Sequence, residues 1–259
     1  MEKKVAIVTG GTRGIGRAVS KKFLQAGYQV VALSTGFNAN TEKVLEELRA
    51  LGEVTYLACD VSKKEDCQKG VALAVEKYGR IDVLANVAGI VGQQGDLVTN
   101  DIEIIEKVIQ VNLLGSMYMA KYAAEQMIRQ KSGTIVNIGS ICGIIANHEN
   151  VGYHASKGGI RMFTQALARE LSPYGVRVVS VGPGWIRTEM LTMQVEKNGE
   201  QMLDGGNKMH MKGRIIEPEE IANAVYLLTL PEASAINGTT VMADDGYSAY
   251  KGFDSVSML

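Results

Sequence analysis

What this chain has little of removes several classes of protein at once. Three cysteines (Cys59, Cys67 and Cys142) occur in 259 residues, with no C-x-x-C spacing and no adjacent histidine cluster. Neither a disulfide framework nor a zinc site is expected from them. Four prolines against 29 glycines point to tight turns between regular elements, not to a disordered chain. Apolar runs never reach the ~18 residues of a membrane span. The run in "MEKKVAIVTGG" stops after "VAIV", too short for a signal-peptide core. Nor is either charge in excess. Lys and Arg number 27 against 28 Asp and Glu, a net charge of −1, which argues against a nucleic-acid or polybasic membrane partner. A cytoplasmic, reducing location is the expectation that follows from these absences.

Apolar material is plentiful, at 46% of residues, and it is distributed in short runs. "VAIV" (5–8), "VVAL" (30–33), "VTYLAC" (54–59), "IDVLA" (81–85), "TIVNI" (134–138), "VRVVSV" (176–181) and "TTVMA" (239–243) are too short for helices and show little polar alternation. Strands buried on both faces read this way. Helical stretches lie between most of them. In the first, Ile15, Ala18, Val19, Phe23 and Ala26 share a face, and Gly27 sits at a C-cap position. "SKKE" at 62–65 predicts a capping box, and Pro218 a first helical position. The alternation predicts an α/β fold with a parallel, doubly wound sheet of about seven strands and helices on both faces. No linker, repeat or low-complexity tract interrupts it, so residues 1–259 read as one domain. The least regular stretch, 186–216, carries five methionines (Met190, Met193, Met202, Met209 and Met211) and Gly205-Gly206. It reads as a substrate flap with an adaptable apolar side or as ordinary packing.

"TGGTRGIG" (Thr9 to Gly16) follows the first strand and opens the first helix. Gly10, Gly14 and Gly16 allow a tight turn that brings backbone and helix N-terminus close to a pyrophosphate. Thr12, Arg13 and Ile15 complete the candidate contact surface. The spacing is G-x-x-x-G-x-G, not the more usual G-x-G-x-x-G. Many dinucleotide sites carry an acid after the second strand for the adenosine 2′-hydroxyl. Here "VVALSTGFNAN" offers Ser34 and Thr35 and no acid, while Arg13 could meet a 2′-phosphate. NADP(H) is favoured over NAD(H) on that basis.

Together these motifs resemble the short-chain dehydrogenase/reductase family, from Thr9 to about Gly246, and are most similar to its 3-oxoacyl-carrier-protein reductase branch. The resemblance implies a Rossmann sheet and assigns roles residue by residue. Asp60, with Val61 beside it, matches the acid that contacts adenine. Asn86, Ala88 and Gly89 of "NVAG" match N-N-A-G, with Val87 replacing the second asparagine. Asn112 in "VNLLG", Ser140 in "NIGS", and Tyr153 with Lys157 in Y-x-x-x-K match the catalytic set. Pro183, Gly184, Ile186 and Thr188 of "PGWIRT" match P-G-x-x-x-T, where Ile186 and Thr188 would face the nicotinamide carboxamide.

The chemistry suits those residue types. Reducing a ketone needs a hydride on carbon and a proton on oxygen. A free phenol titrates near pH 10, about 4 kcal/mol from neutrality. A cation four residues along the same helix face would favour the phenolate. Tyr153 is therefore the expected general acid in reduction and base in oxidation. Ser140 would orient the substrate oxygen. By resemblance, Asn112 would hold a water on a proton path, and Tyr153 and Lys157 would also bind the nicotinamide ribose.

The expected activity is interconversion of a ketone and a secondary alcohol, with 3-oxoacyl thioester reduction as the leading substrate and sugar, polyol or steroid dehydrogenation as alternatives. A catalytically silent dinucleotide-binding regulator is the alternative of another class. His154, next to Tyr153, is expected to point elsewhere; His148, with Asn147 and Glu149, could line the substrate pocket; His210 lies in the flap. No metal is expected. Arg129 and Lys131 could greet an acidic carrier, although Tyr174 stands before Gly175 where a basic residue is often found. A homotetramer or homodimer is the family's expectation, with the tail at 247–259 a candidate subunit contact.

Overall fold

A computed structural model of the chain describes residues 3–146 and 150–249. Strands β1 (Val5–Thr9), β2 (Gln29–Ser34), β3 (Val54–Ala58), β4 (Val83–Asn86), β5 (Gly133–Ile138), β6 (Val176–Pro183) and β7 (Thr240–Ala243) form one sheet in the order β3-β2-β1-β4-β5-β6-β7. Every neighbouring pair is parallel, with Ile7 of β1 opposite Val31 of β2 and Leu84 of β4. Each apolar run expected as a strand is one. All five residues of β1 are buried, which explains the missing polar alternation.

The helices are α1 (Gly14–Gln25), α2 (Ala39–Arg49), α3 (Lys64–Tyr78), α4 (Ile102–Ile109), α5 (Gly115–Gln130), α6 (Val151–Leu171), α7 (Glu189–Asn198), α8 (Gln201–Lys208) and α9 (Pro218–Thr229). They bury apolar faces in two cores. Phe23, Leu45, Leu48 and Val225 fill one, and Leu33, Met119, Met127 and Ile135 the other. Each such side chain contributes about 1.5–3 kcal/mol by leaving water. Strand order reverses between β1 and β4, and this opens a crevice at the carboxyl ends of the strands.

Two local expectations need correction. The 62–65 capping box does not form, because the Ser62 hydroxyl donates to Asp60 Oδ1 at 2.7 Å and Lys63 takes the N-cap position without a side-chain bond. The 186–216 stretch is more regular than expected, since it holds α7 and α8. Gly206 is a packing requirement inside α8, where a Cβ would stand 2.7 Å from Trp185 Cε3. Pro218 does open α9, with Glu217 and Glu220 forming a reciprocal cap.

Candidate active site

Two adjoining cavities lie along the crevice, of about 400 Å3 and about 640 Å3, and Ile15, Thr188 and Met190 line both. The smaller is walled by Gly10, Arg13, Gly14, Ile15 and Gly16, by Ser34 and Thr35, by Asp60 and Val61, and by Ala88, Gly89 and Thr188. Its floor is glycine because nothing larger fits. Gly10 has φ +66°, and a Cβ there would stand 3.3 Å from Ala88 Cα. At Gly16 a Cβ would overlap the Gly10 carbonyl. No side chain caps the N-terminus of α1, and its first turn carries no acid. Its orphan N–H groups and positive dipole end therefore suit an anion. These features fit a dinucleotide with its pyrophosphate on the turn.

Thr12 and Asn86 stand behind this wall. Thr12, 3% exposed, exchanges a 2.8 Å hydrogen bond with Ser34 and so braces β2 against the turn. Asn86 donates to Ser116 O at 3.2 Å and to Asn137 Oδ1 at 3.0 Å. Val87 lines the cavity and packs on the core, while its N–H donates to Thr9 Oγ1 at 2.9 Å. The apolar replacement thus keeps its backbone bond. Arg13 donates to Thr35 Oγ1 at 3.1 Å and presents a cation where β2 ends without an acid. Burial opposes ionisation of Asp60, but bonds from Ser62 and the Lys107 ammonium at 3.8 Å hold its carboxyl below the usual range. Lys107 also lines this cavity and carried no signal in the sequence.

Ser140, Tyr153, Pro183, Gly184 and Ile186 line the larger cavity. Ser140 follows β5, and its Oγ accepts from Cys142 N–H at 3.1 Å. Asn150, with φ +87°, caps α6. Its side chain accepts from Tyr153 N–H at 3.2 Å and donates to Val91 O at 2.9 Å, which fixes the start of α6 against the loop after β4. Asparagine tolerates that left-handed backbone. One turn on, Lys157 lies 5.5 Å from the Tyr153 ring centroid and donates to Ile138 O at 2.7 Å. Asn112 sits in a π-turn (Gln110–Leu114) between α4 and α5. Its amide grips Ile90 from both sides, accepting from N–H at 2.8 Å and donating to O at 2.9 Å, and also donates to Ser156 at 3.0 Å. That amide already holds the loop after β4, a duty beyond the water-holding one expected of it.

Electrostatically the pair departs from expectation. Burial pushes the Tyr153 phenol above its ordinary value, as does the neighbouring Cys142, against a lowering hydrogen bond with Ser140. Burial also lowers the Lys157 ammonium, from 10.5 to about 8, with Cys142 opposing. In the chain itself desolvation is the largest influence on both groups.

The histidines divide. His154 lines the larger cavity and does not point elsewhere; its Nδ1 donates to Asn150 O at 2.9 Å, so the ring folds back over the helix start. His210 is buried beside Gly184. His148, with Asn147 and Glu149, lies outside the described residues, as does the tail beyond Ala249. No disulfide joins the three cysteines, and no metal-binding cluster occurs among the described residues. No helix among them is long and apolar enough to cross a membrane.

Known proteins resemble this chain in sequence and fold. A family model described as Enoyl-(Acyl carrier protein) reductase matches residues 10–248. Carbonyl reductase family member 4 of Xenopus laevis is 38% identical over 243 residues, 94% of this chain and 97% of that protein. A 3-oxoacyl-acyl-carrier-protein reductase of Thermotoga maritima is 35% identical over 247 residues, 95% of this chain and 98% of its own length. Among solved structures, a variant actinorhodin polyketide ketoreductase with NADPH superposes with a TM-score of 0.91 at 32% identity, covering 96% of this chain and 100% of that one. With its dinucleotide-shaped crevice, the chain belongs to the short-chain dehydrogenase/reductase family of NAD(P)-dependent oxidoreductases.

Proposed function

We propose that this enzyme reduces an uncharged ketone to a secondary alcohol with NADPH, and that a 3-oxoacyl thioester is the leading substrate. The observation that carries the reading is that Ser140 and Tyr153 line the larger cavity, with the buried Lys157 ammonium 5.5 Å from the Tyr153 ring centroid. The glycine turn, with Asp60, Ala88, Gly89, Ile186 and Thr188, would hold the reduced dinucleotide, which would supply the hydride. Ser140 donates a hydrogen bond that orients the substrate oxygen. Tyr153 delivers its proton to that oxygen as carbon is reduced. A phenol raised by burial stays protonated at neutral pH, so Tyr153 begins as the acid this direction needs. Lys157, at about 8, remains some tenfold more charged than neutral at pH 7, and its field stabilises the phenolate left behind.

Arg13 and Thr35, with no acid in the stretch directly after β2, support NADPH over NADH. The larger cavity supports the substrate class. Trp185, Met190, Leu191, Met202 and Met209 give it an apolar wall, and no Lys, Arg, Asp or Glu lines it among the described residues. Gln94, Asn150, His154 and Gln194 add polar groups to the same cavity, which favours a polyol or sugar ketone as the second reading. The test is the initial rate of NADPH oxidation with an acetoacetyl thioester of N-acetylcysteamine, with NADH run alongside. Turnover preferring NADPH is expected. No thioester turnover, beside turnover of a sugar ketone, would transfer the assignment to the second reading.

A further inference from the structure

His210 is 3% exposed, and both ring nitrogens are engaged. Nδ1 lies 2.8 Å from Gly206 O, and Nε2 lies 3.2 Å from Trp185 N. A carbonyl can only accept and a backbone N–H can only donate, so Nδ1 carries the proton and Nε2 carries none. The geometry therefore fixes a neutral imidazole in one tautomer. This ring joins three parts of the chain distant in sequence. One is the loop after β6, where a Cβ at Gly184 would stand 2.5 Å from Nε2. Another is α8, which ends just before it. The third is the segment after β7, whose Tyr247 ring lies 5.6 Å away and whose phenol shares a hydrogen bond with Trp185.

From this we infer that His210 is a positioning residue, whose neutral imidazole latches the Pro183–Thr188 loop and thereby places Trp185, Ile186 and Thr188 against the reacting groups. The inference rests on the ketoreductase reading for its kinetic part only. An imidazolium would carry a proton on Nε2 and face the Trp185 N–H donor to donor, so acid releases the latch. The charged and titratable groups on the elements packed against it are few. Asp204 and Lys208 belong to α8, and Arg187 of the loop is paired with Glu217 at 2.9 Å. After β7, Asp244 is occupied by Gly246 N–H and Ser248, Asp245 pairs with Lys212 at 3.7 Å, and Tyr247 is a neutral phenol raised by burial.

Trp185 is the only tryptophan, so its emission reports the latch without turnover. In the full chain, titrated from pH 8 to 5, wild-type emission should follow a single protonation. His210→Gln, whose amide can accept from Trp185 and donate to Gly206 without titrating, should remove that transition. Kinetically, His210→Gln should hold kcat/KM within about threefold at neutral pH and flatten its acid limb. His210→Leu, which keeps bulk but no hydrogen bonds, should lose tenfold or more at every pH. A wild-type emission curve without a transition, or the same transition in His210→Gln, would overturn the latch, as would a folded His210→Leu with unchanged kcat/KM. Failure of the ketoreductase reading is distinct, since it removes turnover and leaves the emission titration intact.

Discussion

Replacing Lys157 with methionine should cost the enzyme its activity while making the fold no less stable. Burial holds this ammonium at about 8 against an ordinary 10.5. At ~1.4 kcal/mol per pH unit, that gap means about 3 kcal/mol opposing the charged form in the folded state. Methionine removes the charge but strands the Ile138 carbonyl that Nζ reaches at 2.7 Å. An unpaired buried carbonyl costs about 1–3 kcal/mol. Lys157→Met should therefore be about 0–2 kcal/mol more stable than wild type at pH 7. The sign of the pH dependence is fixed. The lysine's folded value is lowered, so between about 8 and 10.5 the unfolded chain binds more protons than the folded one and wild-type stability rises. The variant's advantage is full below that window and gone above it. Between pH 7 and 9.5 wild type should gain about 2 kcal/mol on the variant, read by urea unfolding at both values. A stability difference that stays constant with pH would refute the reasoning, as would a variant more than 2 kcal/mol less stable at pH 7.

Other substitutions probe the cavities. Gly16→Ala places a Cβ over the Gly10 carbonyl and should abolish dinucleotide binding, measured by calorimetry, while thermal unfolding stays cooperative. Arg13→Ala should raise the KM for NADPH about tenfold, the worth of one charge-assisted bond, and leave that for NADH within about twofold. Met202→Ser with Met209→Ser should lower kcat/KM for long-chain 3-oxoacyl thioesters by about tenfold and spare the four-carbon substrate, because both side chains line the apolar wall. Equal losses across chain lengths would place the acyl chain elsewhere.

Most of the fold was legible because its strands are buried on both faces, which writes them as unbroken apolar runs such as "VAIV" and "VVAL". Of the candidate catalytic residues, Tyr153 and Lys157 were legible through spacing, which sets them one turn apart on α6, and Asn112 and Ser140 through the resemblance of their motifs to the family's. What escaped depends on contacts between distant residues. Nothing in "LDGGNK" suggests a helix until Trp185 is seen to demand Gly206 beneath it. Ser62 reads as a cap, yet Asp60 takes its hydroxyl. His154 and Lys107 enter the cavities through the way α6 and α4 lie across the crevice, which residue spacing alone does not encode. The phenol's upward shift was missed for a related reason. Spacing reveals the nearby cation but not the depth of burial that raises the phenol.

The central claim is that Tyr153 delivers the proton, and Tyr153→Phe tests it most directly. The variant keeps the ring over Lys157 and removes only the acidic hydroxyl. Dinucleotide affinity and the rate of ketone-dependent NADPH oxidation would be measured on the same preparation. The account predicts affinity within about threefold of wild type and a turnover loss of at least about a hundredfold, the typical worth of a general acid. Tyr153→Phe that still turns over at near the wild-type rate, with dinucleotide bound, would contradict it.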